Sequence, residues 1–335
     1  MGRMLRCLFF SRTLRSFIPW VFAAVACLIL AFVVYPGINP YFQSIFLIAA
    51  MNIILATSLT LINGFTGQFS LGHAGFMAVG GYCAAGLTTY LLPRFGWTGG
   101  LMYVFFFGAL VAGGLFAGFG GYIVGLPSLR LKGDYLAIVT LGFGEIIRVA
   151  LLNIDSLGGA RGLSGIVVFT DQYWLIFGAF ACSFTAFRFL GTPTGRGMFA
   201  VREDEVAAEA MGVNTTKVKV RAFVISSFWA GVAGGLYAHQ YGYLSPTNFN
   251  FMKSFDPVVI IVLGGLGSVS GAVLAAIGIA LLPELLRPLQ QYTGLDFRMV
   301  FYSLILILFM VFKPNGLLGR HELTYFFRKF VGRKK

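Results

Sequence analysis

The chain has 335 residues, of which 58% are hydrophobic and only 11% charged, and its mean hydropathy is +0.83. Soluble domains carry roughly 25% charged residues, and a soluble chain of this composition would expose large apolar patches. The composition therefore excludes an ordinary soluble protein and indicates an integral membrane protein. The net charge of +13 does not indicate nucleic-acid binding, because the basic residues cluster beside apolar segments and form no aromatic–basic groove pattern.

Ten apolar segments follow one another along the chain, and most have the roughly 17–25 residues that a membrane-spanning helix needs. The first follows a basic stretch without a clear cleavage site, so we interpret it as a retained helix and not as a removed signal peptide. The eighth is short and ends in glycines, which is typical of a half-helix or a re-entrant segment. The segments are 17–35, 42–62, 69–92, 101–126, 135–152, 173–190, 218–241, 255–268, 271–287 and 298–313.

The distribution of Lys and Arg predicts the orientation of these segments. With a cytoplasmic N-terminus, the regions on the cytoplasmic side hold 19 of the 25 basic residues and those on the opposite side hold 6. Because cytoplasmic loops carry an excess of Lys and Arg, we expect both termini and the loop 188–221 in the cytoplasm. Eight helices remain an alternative, since a 255–287 hairpin that does not cross leaves the two sides unchanged.

These patterns predict an all-α polytopic membrane protein with one transmembrane domain, residues 17–313. A basic cytoplasmic N-terminus, 1–16, precedes this domain and a basic cytoplasmic tail, 314–335, follows it. Both suit contacts with anionic membrane lipid. Glycines at helical spacing, such as Gly113, Gly231 and Gly234, indicate close helix packing, with hinges of a gated pathway as the alternative.

Two glycine-rich stretches interrupt the apolar segments, one at 63–75 and the other at 263–271. Non-helical backbone at membrane depth must be buried in protein or line a wet cavity. Each stretch is therefore a tight turn with satisfied side chains or part of a solute pathway, and two such breaks favour an internal repeat. The candidate pathway residues are Gln68, Ser70, His73, Gly264, Gly265 and Ser268.

Glu145 and Arg148 are the charged residues of the fifth apolar segment. At a spacing of i, i+3 they share a helix face. A charge about 15 Å along a membrane helix is usually paired or faces a cavity. We favour a structural ion pair, and a transport-linked site with Glu145 as a further pathway candidate is the alternative.

The longest polar stretch, 191–217, contains the most specific local pattern. Residues 201–214 predict one short amphipathic helix that ends at Gly212 and carries acidic residues in its first turn. Asn214 or Thr215 is a suitable N-cap for the next helix. Such a helix at a membrane face suits docking of a cytosolic partner, and a solvated loop helix is the alternative. The candidate contact residues are Arg202, Glu203, Asp204, Glu205, Ala207, Ala208, Glu209 and Gly212.

The motifs of common enzymes are not found in the sequence. No Gly-Lys pair exists, so a P-loop is absent, as are a nucleophile elbow and a His-Glu-x-x-His motif. The four cysteines lack the spacing of metal ligands. We therefore expect no catalytic residue, no metal site and no cofactor bound by this chain.

Taken together, several of these segments resemble the M-type (LivM-like) permease subunits of branched-chain amino-acid ABC importers. The resemblance covers most of the chain from about residue 40 onward. It is carried by residues 63–82, 134–148, 158–166, 202–238, 256–271 and 313–317.

This resemblance implies a bundle of about ten transmembrane helices of the larger importer class, which translocates Leu, Ile or Val across the bacterial inner membrane. It also implies a homologous permease partner, two cytosolic ATPase subunits that bind the ATP, and a periplasmic substrate-binding protein. The residues from Arg202 to Asn214 then look like the coupling helix that fits a groove on the ATPase.

Other functions stay open at this stage. A permease of the same class for urea, short amides or other amino acids differs in pathway residues that the sequence does not identify. A proton-coupled secondary transporter that uses Glu145 belongs to another class, and uptake under ATP depletion or with an uncoupler distinguishes it. An integral membrane enzyme has the least support, because no catalytic constellation is visible.

Overall fold

The computed structural model describes residues 37, 39–95, 99–128, 133–286, 298–319 and 322. The basic N-terminus 1–16, the expected helix 17–35, Arg130, Lys132 and most of the tail 314–335 lie outside the described residues. The described chain is predominantly helical. Its main helices are α1 (Pro40–Leu59), α2 (His73–Gly86), α3 (Gly100–Ser128), α4 (Asp134–Leu152), α5 (Gln172–Leu190), α6 (Pro193–Glu203), α7 (Glu205–Ala210), α8 (Thr215–Tyr241), α9 (Phe251–Gly264), α10 (Val269–Leu285) and α11 (Arg298–Phe312).

The predicted apolar segments form helices wherever the structure describes them. Six helices are long and apolar enough to cross a membrane: α3, α4, α5, α8, α1 with its π-helical extension to Gly64, and α2 with its extension to Arg94. Within the described ranges, nine of the ten predicted segments are thus present as α1–α5 and α8–α11. By length and composition these six are candidate membrane spans, in agreement with the prediction of a polytopic membrane protein.

The eighth and ninth predicted segments form a broken pair, α9 and α10. These helices have 14 and 17 residues, which corresponds to about 21 and 26 Å of length. Both are shorter than the roughly 30 Å hydrocarbon core of a bilayer. Their axes bend by 117° at the glycine-rich break between them. α9 is therefore the short, glycine-ended helix that the sequence predicts.

Three helices, α2, α3 and α8, cross at distances that only glycine permits. A Cβ at Gly80 would overlap the backbone of Gly231, and one at Gly234 would overlap the carbonyl oxygen of Met77. A Cβ at Gly113 would lie 2.6 Å from the carbonyl oxygen of Gly80. Small residues allow such close approach where lipid gives no hydrophobic drive for helix pairing. The close packing predicted from the glycine spacing is confirmed at this crossing.

Helix α1 joins this three-helix crossing to the broken pair. It packs against α5 and α8 on one side and against α9 and α10 on the other. Ile54, Ala56 and Leu59 on α1 are completely buried. The π-helical extension of α1 also ends close to the break between α9 and α10, because a Cβ at Gly64 would lie 3.0 Å from the Gly267 nitrogen.

A short antiparallel ribbon departs from the all-α prediction. Strand β1 (Leu163–Ser164) pairs with β2 (Tyr243–Leu244), which directly follows α8. Gly162 and Gly242 turn the chain into the ribbon with φ values of 78° and 67°, which favour glycine. The Tyr82 hydroxyl donates to the Leu244 carbonyl at 3.2 Å. Two-residue strands are too short for the alternating pattern by which strands are predicted, so the sequence analysis missed them.

The glycine crossing makes a direct prediction for stability. Gly234→Ala places a methyl group against the Met77 carbonyl and 2.9 Å from the Gly81 nitrogen, so α2 and α8 must separate. We expect a loss of about 1–3 kcal/mol, as for other overpacked cores. The measurement is the thermal unfolding of the purified protein in detergent.

Gly278→Ala on α10 is the matched control, because a Cβ there meets no atom within 4 Å. It should leave stability unchanged or raise it slightly, since alanine favours helix formation. Equal unfolding temperatures for the two variants would contradict this account of the crossing.

Candidate functional site

In the first glycine-rich break, side chains form hydrogen bonds with backbone groups that have no partner within a helix. α1 continues into the π-helical turn Thr60–Gly64, and the chain then runs without regular structure to α2. The Asn63 side chain accepts from the Ser70 N–H at 3.1 Å and donates to the Ser70 carbonyl at 3.3 Å. The Leu71 N–H donates to Thr140 Oγ1 at 3.0 Å. This non-helical backbone is therefore satisfied inside the protein.

The candidate pathway residues of this break are buried. Ser70 and His73 are exposed by only 1% and 2%, and Gln68 by 6%. His73 Nε2 lies 2.9 Å from Ser58 Oγ, and Ser226 Oγ donates to the Ser58 carbonyl at 2.6 Å. The structure thus brings His73 into a polar seam between α1, α2 and α8. The Gln68 Oε1 atom has no hydrogen-bond partner among the described residues.

The second break is a turn of three glycines between α9 and α10. Gly265 and Gly267 have φ values of 108° and 109°, and a Cβ at Gly264 would lie 2.5 Å from the carbonyl carbon of Gly271. The Ser268 hydroxyl accepts from the Gly271 N–H at 3.0 Å and caps α10. The structure therefore brings the candidates Gly264, Gly265 and Ser268 together, buried within the turn.

The segment after α11 satisfies the end of α9. The Leu317 N–H donates to the Leu263 carbonyl at 2.8 Å, and the Leu318 N–H donates to the Gly264 carbonyl at 3.2 Å. The last carbonyls of a helix have no partner within the helix. This segment belongs to the predicted basic tail, and its described part packs on the break between α9 and α10.

Glu322 caps the other side of the same break. Its carboxylate accepts from the backbone N–H groups of Val269 and Ser270 at 2.8 and 3.1 Å. The Ser270 hydroxyl donates to it at 2.5 Å. A carboxylate at a helix N-terminus is stabilised both by these donors and by the helix dipole. A single acidic side chain thus closes the first turn of α10.

Arg202, at the end of α6, joins the two breaks. Its Nη1 donates to the Gly64 carbonyl at 2.7 Å, and its Nη2 lies 3.4 Å from the Leu266 carbonyl. The sequence analysis placed Arg202 among residues for docking a partner. Its guanidinium group also contacts the backbone of both glycine-rich breaks, which the sequence analysis did not predict.

The single helix predicted over 201–214 is wrong, because the structure has two helices. α6 ends at Glu203, and α7 begins after Asp204, whose backbone is extended with φ −158° and ψ 116°. Asp204 Oδ1 accepts from the Val206 and Ala207 N–H groups at 2.9 and 3.0 Å. Aspartate is a strong N-cap, so it starts a new helix here. The predicted cap of α8 by Asn214 is confirmed, since its Oδ1 accepts from the Lys217 N–H at 2.9 Å.

Two glutamates tie α7 to the first turns of α8. Lys219 Nζ lies 2.5 Å from Glu205 Oε1, and the Lys219 residue is only 5% exposed. The Thr215 hydroxyl donates to Glu209 Oε1 at 2.5 Å. Ala208 is buried beneath α7. Three of the predicted docking residues therefore hold α7 in place.

The exposed surface of α7 and of its C-cap residue, Met211, combines apolar and acidic side chains. Val206 is 71% exposed and Met211 83% exposed, although both side chains are apolar. A held helix that presents such side chains outside the bundle is typical of a protein-binding surface. The predicted docking residues that share this exposed surface are Glu203, Asp204, Ala207 and Gly212.

The predicted ion pair on α4 is confirmed. Arg148 Nε lies 2.7 Å from Glu145 Oε2, and the two side chains are 26% and 30% exposed. The pair lies on the face of α4 that also exposes Tyr135, Ile138 and Ile146, each by more than 60%. The charged pair therefore borders the outside of the subunit and not its core.

Four residues of the site were not predicted. Val206 and Met211 carry a signal in retrospect, as apolar side chains in a polar stretch, and Lys219 does as a lysine inside an apolar helix. Glu322 carries no local signal, because its partners precede it by more than 50 residues. In the part of the chain that the structure describes, no group of three or more His, Cys, Asp or Glu residues is placed to hold a metal.

The Glu205–Lys219 pair makes a testable prediction. Glu205→Lys leaves the buried Lys219 ammonium next to a second cation and should destabilise the protein by about 3 kcal/mol, as for one lost partner of a buried pair. The exchange variant Glu205→Lys/Lys219→Glu should recover most of that loss, as measured by thermal unfolding in detergent. Lys217→Glu, exposed on the same helix, is the control and should change stability by less than about 0.5 kcal/mol. No recovery in the exchange variant would contradict the pairing.

The sequence is similar to known transport permeases over most of its length. Residues 41–310 match the family described as branched-chain amino acid transport system / permease component. The chain is 36% identical over 301 residues to the high-affinity branched-chain amino acid transport system permease protein LivM of Escherichia coli K12, covering 79% of this chain and 67% of that protein. It is 27% identical over 308 residues to a probable LivM of Methanocaldococcus jannaschii, covering 79% and 89%.

A second kind of permease also aligns with this chain. The high-affinity branched-chain amino acid transport system permease protein LivH of Escherichia coli K12 is 26% identical over 290 residues, covering 80% of this chain and 91% of that protein. No solved structure matches the chain. Because the family match spans far more than half of the sequence, the chain belongs to the family of branched-chain amino acid transport system permease components.

Proposed function

We propose that this chain is the membrane-spanning permease subunit of an ATP-driven importer that moves Leu, Ile and Val across the bacterial inner membrane. The complete importer contains a homologous permease subunit, two cytosolic ATPase subunits and a periplasmic binding protein. ATP binds to the ATPase subunits, and this chain binds no cofactor. Family membership and the names of the relatives support the substrate class and the role.

The observation that carries this proposal is the exposed surface of α7. This short helix, which exposes Val206 and is followed by exposed Met211, is held to α8 by the Glu205–Lys219 ion pair and by Thr215. Apolar anchors on a rigid support are the usual centre of a protein interface. Because the sequence lacks a P-loop, the ATPase that the importer needs is on another chain. We assign the surface of α7 to contact with that ATPase.

The charge distribution supports the orientation of the subunit. The regions 1–16, 188–221 and 313–335 hold most of the basic residues, which favours a cytoplasmic location for all three. The contacts of Arg202 with Gly64 and Leu266 bring both glycine-rich breaks to the same end of the bundle as α6. In this orientation the breaks lie at the cytoplasmic end and the β1–β2 ribbon lies at the periplasmic end.

The exposed face of α4 is the surface that we assign to the homologous permease. α4 is the least buried of the six long helices, and the Glu145–Arg148 pair borders its exposed face. A charged pair in contact with lipid is costly, so such residues usually face protein or water. The names LivM and LivH, which Escherichia coli K12 has for two permeases of its high-affinity branched-chain amino acid transport system, support a pair of unlike subunits.

The proposed mechanism uses these two surfaces together. ATP binding closes the ATPase pair and displaces α7, and the Glu205–Lys219 pair passes this displacement to α8. The permease pair then changes between inward-open and outward-open states, and the amino acid passes between the subunits. Glu145 is the pathway candidate on the exposed face of α4, whereas Gln68, Ser70 and His73 act from inside the subunit by shaping the first break.

The proposed contact between the α7 surface and the ATPase is tested by placing charged side chains on that surface. Val206→Glu/Met211→Glu puts two carboxylates at the centre of the proposed interface, where desolvation is unfavourable. We expect the amount of co-purified ATPase to fall at least about tenfold, as for loss of an interface hot spot. Leucine uptake should fall in parallel, with unchanged amounts of the variant in the membrane. Val206→Leu/Met211→Leu keeps the surface apolar and is the control. Normal uptake by the charged variant would refute the assignment.

The energy source is tested by uptake measurements in whole cells. Deletion of the ATPase genes, or depletion of ATP, should abolish uptake of radiolabelled leucine, whereas an uncoupler that leaves ATP intact should not. Isoleucine and valine should compete with leucine, and urea and acetamide should not. Uptake that survives ATPase deletion but stops with the uncoupler would establish a proton-coupled transporter instead.

A further inference from the structure

The two glycine-rich breaks contribute matching features to the side chain of Arg202. Each supplies one carbonyl group, from Gly64 in the first break and from Leu266 in the second. Each also supplies one glycine with positive φ, Gly67 at 69° and Gly267 at 109°. The guanidinium group is a planar fork with donors in fixed positions, so it holds both carbonyls in one geometry.

The glycines leave the room that this side chain occupies. A Cβ at Gly67 would lie 3.3 Å from Arg202 Cγ, and one at Gly267 would lie 2.5 Å from its Nη1. The breaks also contact each other, because a Cβ at Gly64 would lie 3.0 Å from the Gly267 nitrogen. The Arg202 side chain therefore lies between the two breaks, so a shift of its Cα changes the position of its guanidinium group relative to both.

Arg202 is also placed to follow the movement of α7. It is the penultimate residue of α6, and Asp204, two residues later, is the N-cap of α7. A single extended residue, Asp204, connects these helices, so one helix has little freedom to move without the other. A displacement of α7 therefore reaches Arg202 directly, through covalent bonds, and reaches α8 separately through the Glu205–Lys219 pair.

We propose that Arg202 is the positioning residue through which displacement of α7 moves α1 and the α9–α10 pair together. The inference rests on the proposed contact of α7 with an ATPase, and it gives Arg202 a role inside the permease instead of on the docking surface. When the Arg202 guanidinium group is removed, the ATPase still binds α7 and still hydrolyses ATP. The two breaks then no longer follow α7, so hydrolysis proceeds without import.

The test uses the complete importer reconstituted in vesicles. Its binding protein is added in the leucine-bound form. Arg202→Gln removes the charge and the fork, and Arg202→Lys keeps the charge but has one amine in place of the fork. Arg196→Gln removes the same charge from an exposed position on α6 and is the control. Leucine import, ATP hydrolysis, co-purified ATPase and thermal stability are measured on the same preparations.

We expect Arg202→Gln to retain its ATPase subunits and their hydrolysis rate. Leucine imported per ATP should fall at least about tenfold, the factor of a lost charge-assisted hydrogen bond. Arg202→Lys should give an intermediate ratio, and Arg196→Gln the wild-type ratio. A purely structural role predicts lower thermal stability or assembly with an unchanged ratio in every assembled complex.

Two results would overturn the inference alone. One is a wild-type ratio of import to hydrolysis in Arg202→Gln, and the other is loss of assembly in both Arg202 variants, which would make the residue structural. Absence of ATP-driven leucine import by the wild-type complex would instead overturn the proposed function, and this inference with it.

Discussion

The rest of this structure depends on one constraint, which is that lipid offers no hydrogen-bond partner to a backbone N–H or carbonyl group. A continuous helix meets this constraint by itself, but a broken helix does not. At the two breaks of this chain the missing partners come from distant segments: Thr140 on α4, Arg202 on α6 and Glu322 after α11. The breaks are therefore the places where otherwise separate parts of the sequence are forced to meet.

The two halves of the bundle meet the same constraint in different ways, and their mechanical properties differ accordingly. At the crossing of α2, α3 and α8, backbones are in direct contact through Gly80, Gly231 and Gly234, so the helices are closely packed there. Around α1, α9 and α10, backbones also approach closely at the glycines, but hydrogen-bonding side chains such as Arg202 and Glu322 additionally connect one backbone segment to another. A hydrogen bond to a carbonyl can be exchanged for another, whereas a close-packed crossing resists any displacement.

Local pattern was sufficient where a feature depends on one segment. Hydropathy located the helices, the i, i+3 spacing located the Glu145–Arg148 pair, and the polar residue before an apolar run located the Asn214 cap. It was insufficient where two signals competed: the amphipathic pattern of residues 201–214 predicted one helix, but the capping side chain of Asp204 divides it. Helix periodicity indicates which residues share a face of a helix. It does not indicate that a residue within the pattern, such as Asp204, is the N-cap of a new helix.

The contacts that define the site were beyond sequence reasoning for a different reason. Arg202 and Gly64 are separated by 138 residues, and a charged residue at a helix end has the same local appearance whether it faces solvent or a carbonyl. The sequence analysis therefore placed Arg202 among the docking residues and did not predict its contacts with the two breaks. Exposed Val206 and Met211 were missed for the converse reason, since apolar side chains in a short helix are usually expected to point inward.

The Glu322 carboxylate has a consequence for the order in which the protein is made. Its partners, Val269 and Ser270, are synthesised and inserted well before it, because α11 lies between them. During translation the first turn of α10 must therefore wait, with its N–H groups turned to water or to another temporary acceptor. The first turn of α10 is thus completed only after α11 has been synthesised, and a chain that ended before residue 322 would lack this acceptor.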